Sequence, residues 1–359
     1  MREYGLVLAG GGAKGTYQLG AWKAMRELGV KFSVVAGTSI GSINGALIAA
    51  DCYDEAVELW DCASVDKGVK ITAELKDPEN LFSRKNFTAL FKEIVKNGGI
   101  DASPTKALLE RFIDEEKVRK SKTRFGMVTF HLSEFTPLEM FVEKIPEGKL
   151  IDYLLASSKV PGVSKIGPEG ERFLDGGVYD NAPVGMLRKN GYNRLIVVDI
   201  SSMKGFGHKN DMTCMEFVYI RPYDVEELGA AFDFSDEMQE KRIKMGYLDT
   251  RKAFGYLYGS RYYFEQEDFV AMINQYGADV VEKLEELACE LELERLTVYR
   301  SNEFVLALKK RCIEYEEELK AQEEEAEPKF YDKILKKIPF FRSDNEYPEA
   351  RAVLDGVII

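Results

Sequence analysis

Residues 32–50, FSVVAGTSIGSINGALIAA, constrain the fold more than any other stretch of the chain. Apolar and β-branched residues at its start predict a buried strand, and the apolar positions from Ile43 onward predict one face of a helix. Between them, Gly37-Thr38-Ser39-Ile40-Gly41 fits the G-x-S-x-G nucleophile elbow, in which flanking glycines let a strained turn close. We therefore expect Ser39 at a helix N-terminus, where partial positive charge favours an alkoxide. The alternative is a tight turn with an idle serine.

A second strand, loop and helix open the chain. Residues 4–9, YGLVLA, predict a short buried strand, and residues 16–28 predict a helix. Gly10-Gly11-Gly12-Ala13-Lys14-Gly15 lies between them. Unpaired backbone N–H groups converge at such a loop, so the pattern predicts a site for an anion.

Three interpretations compete for this anion site. Gly10, Gly12 and Gly15 satisfy the G-x-G-x-x-G fingerprint of dinucleotide sites, but the second strand lacks the acidic residue expected at its end. A phosphate-binding P-loop ends in G-K-[ST], which is missing here. An oxyanion hole serving Ser39 is favoured, because parallel strands bring both loops to one edge of the sheet and Lys14 adds positive charge. A turn with no further role is the remaining alternative.

Composition narrows the class of protein. The 359 residues carry a net charge of -12, which argues against broad nucleic-acid binding. Five cysteines without C-x-x-C spacing indicate free thiols in a reducing compartment, with no disulfide framework and no zinc site. The N-terminal residues lack the apolar core of a signal peptide, and no apolar run approaches the length of a membrane span. These features predict a cytoplasmic protein.

Four residues compete to be the base that would activate Ser39. Histidine is the common choice, and the chain has two: His131, inside a predicted strand pair, and His208, in a stretch rich in glycine and lysine. Asp175 precedes two glycines on a tight turn and could reach another loop, or it could only cap its own turn. Asp199 ends a strongly apolar predicted strand. The residues alone leave all four open.

Three motifs in this order resemble the patatin-like phospholipase family: the loop Gly10–Gly15, the elbow Gly37–Gly41, and Asp175-Gly176-Gly177. Ala156-Ser157-Ser158-Lys159-Val160-Pro161 is similar to the small-residue helix and proline that precede D-G-G in the family. Order and spacing agree over residues 4–258. We therefore expect a three-layer α/β/α catalytic domain over residues 1–258, with a mainly parallel central sheet.

The resemblance implies a Ser–Asp dyad, which suits a chain with only two histidines. Ser39 would be the nucleophile, and Asp175 the base that takes its proton and later activates water. The reaction implied is hydrolysis of a fatty acyl ester of a lipid or phospholipid through an acyl-serine, with no metal or organic cofactor. The family more often has Arg where this chain has Lys14. The oxyanion hole would involve four loop residues: Gly10, Gly11, Gly12 and Lys14.

Two functions of other classes stay open at this point. One is a nucleotide-binding protein that uses the Gly10–Gly15 loop. The other is a catalytically silent scaffold that binds lipid or protein, against which the intact Ser39 and Asp175 argue. The apolar residues 81–95 add a candidate lid over the site, with an ordinary core helix as the alternative.

Residues 259–359 fall outside the resemblance and predict a helical C-terminal extension. Helices are expected over 269–291 and 303–325, the second ending in an acidic run that indicates a solvated face or a spacer. In residues 329–342, KFYDKILKKIPFFR, five basic residues against one acid accompany aromatic and aliphatic residues. This is a candidate anchor for peripheral contact with the inner face of a membrane. The alternative is that these aromatics dock onto the catalytic domain.

Overall fold

The computed structural model describes residues 3–63, 103–131, 136–158, 173–175, 181–201, 215–325 and 348–356. The candidate lid at 81–95, His208 and the candidate anchor at 329–342 lie outside these residues. The contacts divide the chain into two units, Met1–Thr250 and Arg251–Ile359. Among the described residues, no helix is long and apolar enough to cross a bilayer.

A seven-stranded sheet organises the described part of the first unit. Its order is β4-β3-β2-β1-β6-β7, and β5 also pairs with β3. Neighbours among β1, β2, β3, β6 and β7 are parallel, whereas β4 and β5 run antiparallel to β3. The predicted, mainly parallel central sheet is therefore confirmed. The strands are β1 (Tyr4–Leu8), β2 (Phe32–Thr38), β3 (Arg124–His131), β4 (Thr136–Phe141), β5 (Phe173–Asp175), β6 (Arg194–Val198) and β7 (Glu216–Ile220).

Helices follow most of these strands, including the two strands after which the sequence predicts a helix. Among the described residues, short 3-10 helices lie at Gly12–Gly15, Val142–Lys144 and Val225–Leu228. The α-helices described in this unit are α1 (Thr16–Glu27), α2 (Ile40–Ala49), α3 (Tyr53–Cys62), α4 (Ser103–Phe112), α5 (Glu115–Lys120), α6 (Leu150–Ser157), α7 (Val184–Lys189) and α8 (Asp236–Ala253).

Both faces of the sheet are covered by helices. Val34 and Val35 on β2 point to opposite faces, because side chains alternate along a strand. Val34 shares a buried cluster with Leu187 of α7. On the other face α2 approaches closely, since a Cβ at Gly45 would lie 3.3 Å from Val35 Cγ1. The helix–sheet–helix arrangement predicted from the sequence is thus confirmed.

The short strand β5 pairs with β3 beyond the point where β2 ends. β2 pairs with β3 as far as Thr38, which is opposite Val128. One residue further along β3, Asp175 of β5 is opposite Thr129. The other edge of β3 is occupied there by β4, where Leu138 is opposite Thr129. Since a strand has two hydrogen-bonding edges, β5 lies on the β2 side, and the C-terminal ends of β2 and β5 meet.

The described part of the second unit is mainly helical, which confirms the predicted helical C-terminal region. Two-residue strands β8 (Tyr263–Phe264) and β9 (Val298–Tyr299) pair in parallel. The buried residues of this unit, among them Phe264, Leu284 and Phe304, form a core of their own. The helices described are α9 (Gln266–Tyr276), α10 (Ala278–Glu290), α11 (Ser301–Glu325) and α12 (Pro348–Asp355).

The single helix predicted over 269–291 is wrong. Gly277 adopts φ 89° and ψ 151°, which no α-helix contains, so α9 ends before it and α10 begins after it. Glycine reaches this backbone conformation without the steric cost that other residues meet. The apolar periodicity continues across the break, which is why the sequence pattern alone indicated one helix.

Two glycines bring α1 and α8 of the first unit into close contact. A Cβ at Gly20 on α1 would lie 1.9 Å from the carbonyl oxygen of Ile243 on α8. A Cβ at Gly246 on α8 would lie 2.0 Å from the carbonyl oxygen of Tyr17 on α1. The Tyr17 hydroxyl also donates to Asp249 at 2.8 Å. A larger residue at either glycine would push the two helices apart.

We expect Gly20→Ala to destabilise the protein, although helix propensity alone predicts the opposite. Alanine in a helix is normally better than glycine by about 0.5–1 kcal/mol. Here the new methyl group meets a backbone carbonyl, and overpacking of this kind costs on the order of 1–3 kcal/mol. Thermal unfolding measures the difference. Gly356→Ala is the control, because its Cβ would be 3.5 Å from the nearest atoms; an unchanged or higher melting temperature for Gly20→Ala contradicts the expectation.

Candidate active site

Ser39 lies on a strained turn between β2 and α2. Its backbone has φ 55° and ψ −129°, a region that residues other than glycine rarely adopt. Ser39 is the N-cap residue of α2, yet its side chain makes no capping hydrogen bond to that helix. Its exposed fraction is 8%. The hydroxyl is therefore held at the start of a helix without being used to cap it.

The two glycines of the elbow are sterically required. A Cβ at Gly37 would lie 2.1 Å from the carbonyl oxygen of Gly41, inside the same turn. A Cβ at Gly41 would lie 2.4 Å from the carbonyl oxygen of Leu8 on β1. The first contact fixes how sharply the chain reverses, and the second fixes how closely α2 approaches the sheet. The steric reason expected for G-x-S-x-G therefore applies in this protein.

Ser157, the last residue of α6, holds the backbone of Ser39. The Ser39 N–H donates to Ser157 Oγ at 3.0 Å, and the Ser157 hydroxyl donates to the carbonyl of Val128 at 2.6 Å. Ser157 is fully buried. On the other side, Ser42 donates to the Ser39 carbonyl through both its N–H (2.8 Å) and its hydroxyl (2.6 Å). Both backbone polar groups of Ser39 are thus fixed.

The glycine loop reaches the elbow at Gly10. A Cβ at Gly10 would lie 3.0 Å from Ser39 Cβ and 2.7 Å from Asn181 Oδ1. The Gly10 N–H donates to the Asn181 carbonyl at 3.1 Å, and Asn181 Nδ2 donates back to the Gly10 carbonyl at 3.1 Å. Loop and elbow therefore meet at the carboxyl ends of β1 and β2, the edge at which α/β sheets bind ligands.

Not every predicted oxyanion residue offers its N–H group to a ligand. The N–H of Gly10 is engaged by Asn181, and that of Lys14 donates to Gly11 at 3.3 Å. Other N–H groups at this edge have no acceptor within the described part of the chain, and such donors can hold a negatively charged oxygen. These N–H groups are those of Gly11 and Gly12 in the loop and of Ile40 and Gly41, the first two residues of α2.

Lys14 is buried rather than exposed beside the loop. Its exposed fraction is 5%. Burial lowers the pKa of Lys14, the charge of Glu226 acts in the opposite direction, and the charge of Arg242 lowers the pKa further. The cation predicted at this position therefore lies where its charged form is disfavoured by desolvation.

The two candidate aspartates differ in where the sheet holds them. Asp175 ends β5, which meets the end of β2 beside β3. Asp199 follows β6, which is two strands away from β2, or about 10 Å at the usual strand spacing. The Asp199 carboxylate also accepts bonds from the N–H (2.9 Å) and hydroxyl (2.5 Å) of Ser201 and from the Tyr219 hydroxyl. His131, on β3, is two residues beyond the position that pairs with Asp175.

A buried polar network under the loop was missed by the sequence reasoning. Asn44 Nδ2 donates to the carbonyl of Gly15 (3.0 Å) and to Gln18 Oε1 (2.9 Å), and Trp60 Nε1 donates to Asn44 Oδ1 (3.1 Å). Gln18 Nε2 donates to the carbonyl of Ala9 at 2.6 Å. These bonds tie α1, α2 and α3 to the two ends of the loop. The available signal was Asn44 itself, a lone amide within an otherwise apolar helix face.

Comparison with protein families identifies the family to which this chain belongs. The family model described as patatin-like phospholipase matches residues 6–188. The chain belongs to this family. The match covers the glycine loop, the elbow, the end of α6 and β5, and the resemblance stated from three sequence motifs is thereby confirmed.

Relatives and solved structures show what the chain is similar to. Lysophospholipase nte1 of Aspergillus oryzae is 30% identical over 208 residues, which are 56% of this chain and 12% of that protein. A patatin-like phospholipase domain-containing protein of Caenorhabditis elegans is 29% identical over 56% of this chain and 14% of its own length. The chain thus matches only a small part of these relatives. VipD from Legionella pneumophila matches with a TM-score of 0.41 at 14% identity, covering 100% of this chain and 94% of VipD.

We expect Ser157→Ala to loosen the elbow. The change leaves the N–H of Ser39 and the carbonyl of Val128 without their partner, and a buried unsatisfied group costs about 1–3 kcal/mol. The melting temperature and the rate at which a fluorophosphonate labels Ser39 should both fall. Ser158→Ala is the matched control, because the bond that the Ser158 hydroxyl makes in the described part of the chain is to the carbonyl of Leu154, at 2.9 Å. Equal effects of the two changes would contradict the assignment.

Proposed function

We propose that this protein is a serine lipid acyl hydrolase in which Ser39 and Asp175 act as a dyad. Membership in the patatin-like phospholipase family supports the reaction class. The observation that carries the dyad is the register on β3, where Val128 pairs with the residue before Ser39 and Thr129 pairs with Asp175. Two strands that run toward each other along one edge bring their last residues together.

In the proposed acylation step, the Asp175 carboxylate takes the proton from the Ser39 hydroxyl as Oγ attacks the ester carbonyl carbon. The carbonyl electron pair moves onto oxygen and forms a tetrahedral oxyanion. When the intermediate collapses, the bond to the alcohol breaks, and the leaving alcohol takes the proton from Asp175. Ser39 then carries the fatty acyl group.

Deacylation reverses these roles with water. Asp175 takes a proton from water, the resulting hydroxide attacks the acyl carbon, and collapse returns the proton to Ser39 Oγ. A fatty acid leaves and both residues regain their starting protonation states. The chemistry is complete with protein groups and water, so we propose no metal or organic cofactor.

The oxyanion in both steps would be held by backbone N–H groups. Gly11 and Gly12 are the donors we propose from the loop, and Ile40, the residue after the nucleophile, is the third. Gly10 sets the distance between loop and elbow, since its missing side chain lets the two backbones touch. Losing one donor of this kind typically raises the barrier by about 3 kcal/mol. The backbone N–H groups beside Ser39, together with family membership, favour an oxyanion hole over a dinucleotide site.

The Aspergillus relative is named a lysophospholipase, which supports a phospholipid with one acyl chain as the first substrate to test. We expect wild-type protein to hydrolyse such a lipid and to label with a fluorophosphonate probe. Ser39→Ala should abolish both, because the attacking atom is gone. Asp175→Asn should lower the hydrolysis rate by about 10²–10⁴-fold, the usual contribution of a general base.

Asp199→Asn is the matched control for the choice of acid. Its carboxylate lies two strands from Ser39 and is engaged by Ser201 and Tyr219, so the rate should stay within a few-fold of wild type. Full activity of Asp175→Asn together with a large loss in Asp199→Asn would refute the dyad of Ser39 and Asp175 and favour Asp199 as the base.

We also propose that the protein is cytoplasmic and contacts a lipid surface through residues 329–342. Basic and aromatic residues together favour the interface of an anionic bilayer. Phe340→Ser combined with Phe341→Ser should reduce co-sedimentation with anionic liposomes, whereas Tyr256→Ser, which removes a half-exposed aromatic elsewhere, should not. Point changes are preferable to truncation, because truncation would also remove Leu354 from the core of the second unit. Unchanged sedimentation of the double variant would refute the anchor.

A further inference from the structure

Arg242 on α8 carries a guanidinium group that is completely buried. Its hydrogen bonds in the described part of the chain go to backbone carbonyls. Nε donates to Leu228 at 2.7 Å, Nη2 to Ala230 at 3.0 Å, and Nη1 to Asp233 at 2.6 Å. Nη1 also donates to the carbonyl of Ala13, within the glycine loop, at 3.3 Å. One side chain therefore joins the loop to residues 228–233, named here the strap.

A buried cation is costly unless its hydrogen bonds are made, and the Arg242 guanidinium makes four of them to backbone carbonyls. Burial lowers the pKa of Arg242, and the charge of Asp233 acts in the opposite direction. Only arginine offers a planar fork of five donors, which can reach several carbonyls of a curved segment at once. Within the strap, Gly229 has φ 62°, which glycine adopts without steric cost.

The strap in turn contacts the loop at Ala13 and at Gly12, one of the proposed oxyanion donors. The carbonyl of Ala231 accepts a bond from the N–H of Ala13 at 2.7 Å. A Cβ at Gly12 would lie 2.3 Å from the same oxygen, and Gly12 has φ 60°. The backbone of the loop at Gly12 and Ala13 thus packs against the carbonyl of Ala231. Ala231 lies within the strap, which Arg242 holds through its hydrogen bonds.

We propose that Arg242 is a positioning residue for the oxyanion hole. It fixes the strap and the Ala13 carbonyl, and the strap fixes Gly12 and Ala13, so that the N–H groups of Gly11 and Gly12 keep their place beside Ser39. The inference rests on the proposed function, since it assigns a role within that reaction. Arg242 itself touches no reacting atom.

The test compares Arg242→Lys and Arg242→Gln with Tyr17→Phe in the full chain. Lysine keeps the charge but cannot span the strap, and glutamine removes the charge while keeping two donors. Tyr17→Phe deletes a buried bond between helices α1 and α8 whose acceptor, Asp249, lies outside the strap. The measurements are the melting temperature, kcat and KM on a p-nitrophenyl fatty acyl ester, and Ki for a trifluoromethyl ketone. The ketone forms a tetrahedral adduct whose oxygen is anionic.

We expect both Arg242 variants to lose about 10–100-fold in kcat with KM within about twofold of wild type. The Ki of the ketone should rise by a similar factor, because only the oxyanion form depends on the displaced donors. Tyr17→Phe should lower the melting temperature yet keep kcat and Ki. A role in stability alone would shift melting temperatures without separating kcat from KM.

Two other outcomes overturn the positioning role alone, and a third overturns the proposed function as well. Folded Arg242 variants with wild-type kcat and Ki overturn the positioning role and leave the hydrolase intact. Failure of both Arg242 variants to fold, with Tyr17→Phe folded, assigns Arg242 to stability and also overturns it. A folded wild type that neither hydrolyses esters nor labels with a fluorophosphonate overturns the proposed function, and the inference with it.

Discussion

The strained backbone at Ser39 is the constraint that the packing of the first unit has to satisfy. A non-glycine residue in this region costs on the order of 1–3 kcal/mol, and it persists only where surrounding contacts fix it. Those contacts come from α2 through Ser42, from α6 through Ser157, and from the close approach of Gly41 to β1. The turn therefore exists only when the sheet and both helices are in place. The same requirement makes the position of the Ser39 hydroxyl a property of the whole unit.

The local part of this site could be predicted from the sequence, because its sterics act between near neighbours. Gly37 and Gly41 are required by contacts within the turn and with the adjacent strand, and G-x-S-x-G shows this directly. Its supports could not be predicted in the same way. Ser157 meets Ser39 across 118 residues, and Arg242 meets Ala13 across 229. No periodicity links positions so far apart, and a buried polar residue has the same sequence signature whether it supports a site or only a core.

The choice between the two aspartates shows a further limit of sequence reasoning. Asp199 follows a strand with a strong apolar pattern, whereas Asp175 ends a strand of three residues whose sequence is typical of a turn before two glycines. Pattern strength thus favours Asp199 as an ordered residue, and only the family resemblance selected Asp175. Register on β3 decides where each lies, because β5 occupies the edge that β2 leaves and β6 lies beyond β1. Register is a property of strand pairing, which a single sequence does not contain.

The positive character of the loop has a different origin from the one that its sequence indicates. Lys14 is the visible cation, but desolvation and the nearby Arg242 both act against its charged form, and Glu226 acts for it. Backbone N–H groups carry fixed partial charges that no change of pH removes. Their effect depends on direction and distance alone, so a loop that uses them needs rigid support more than it needs charge. The buried bonds of Asn44 below the loop and of Arg242 beside it supply that support.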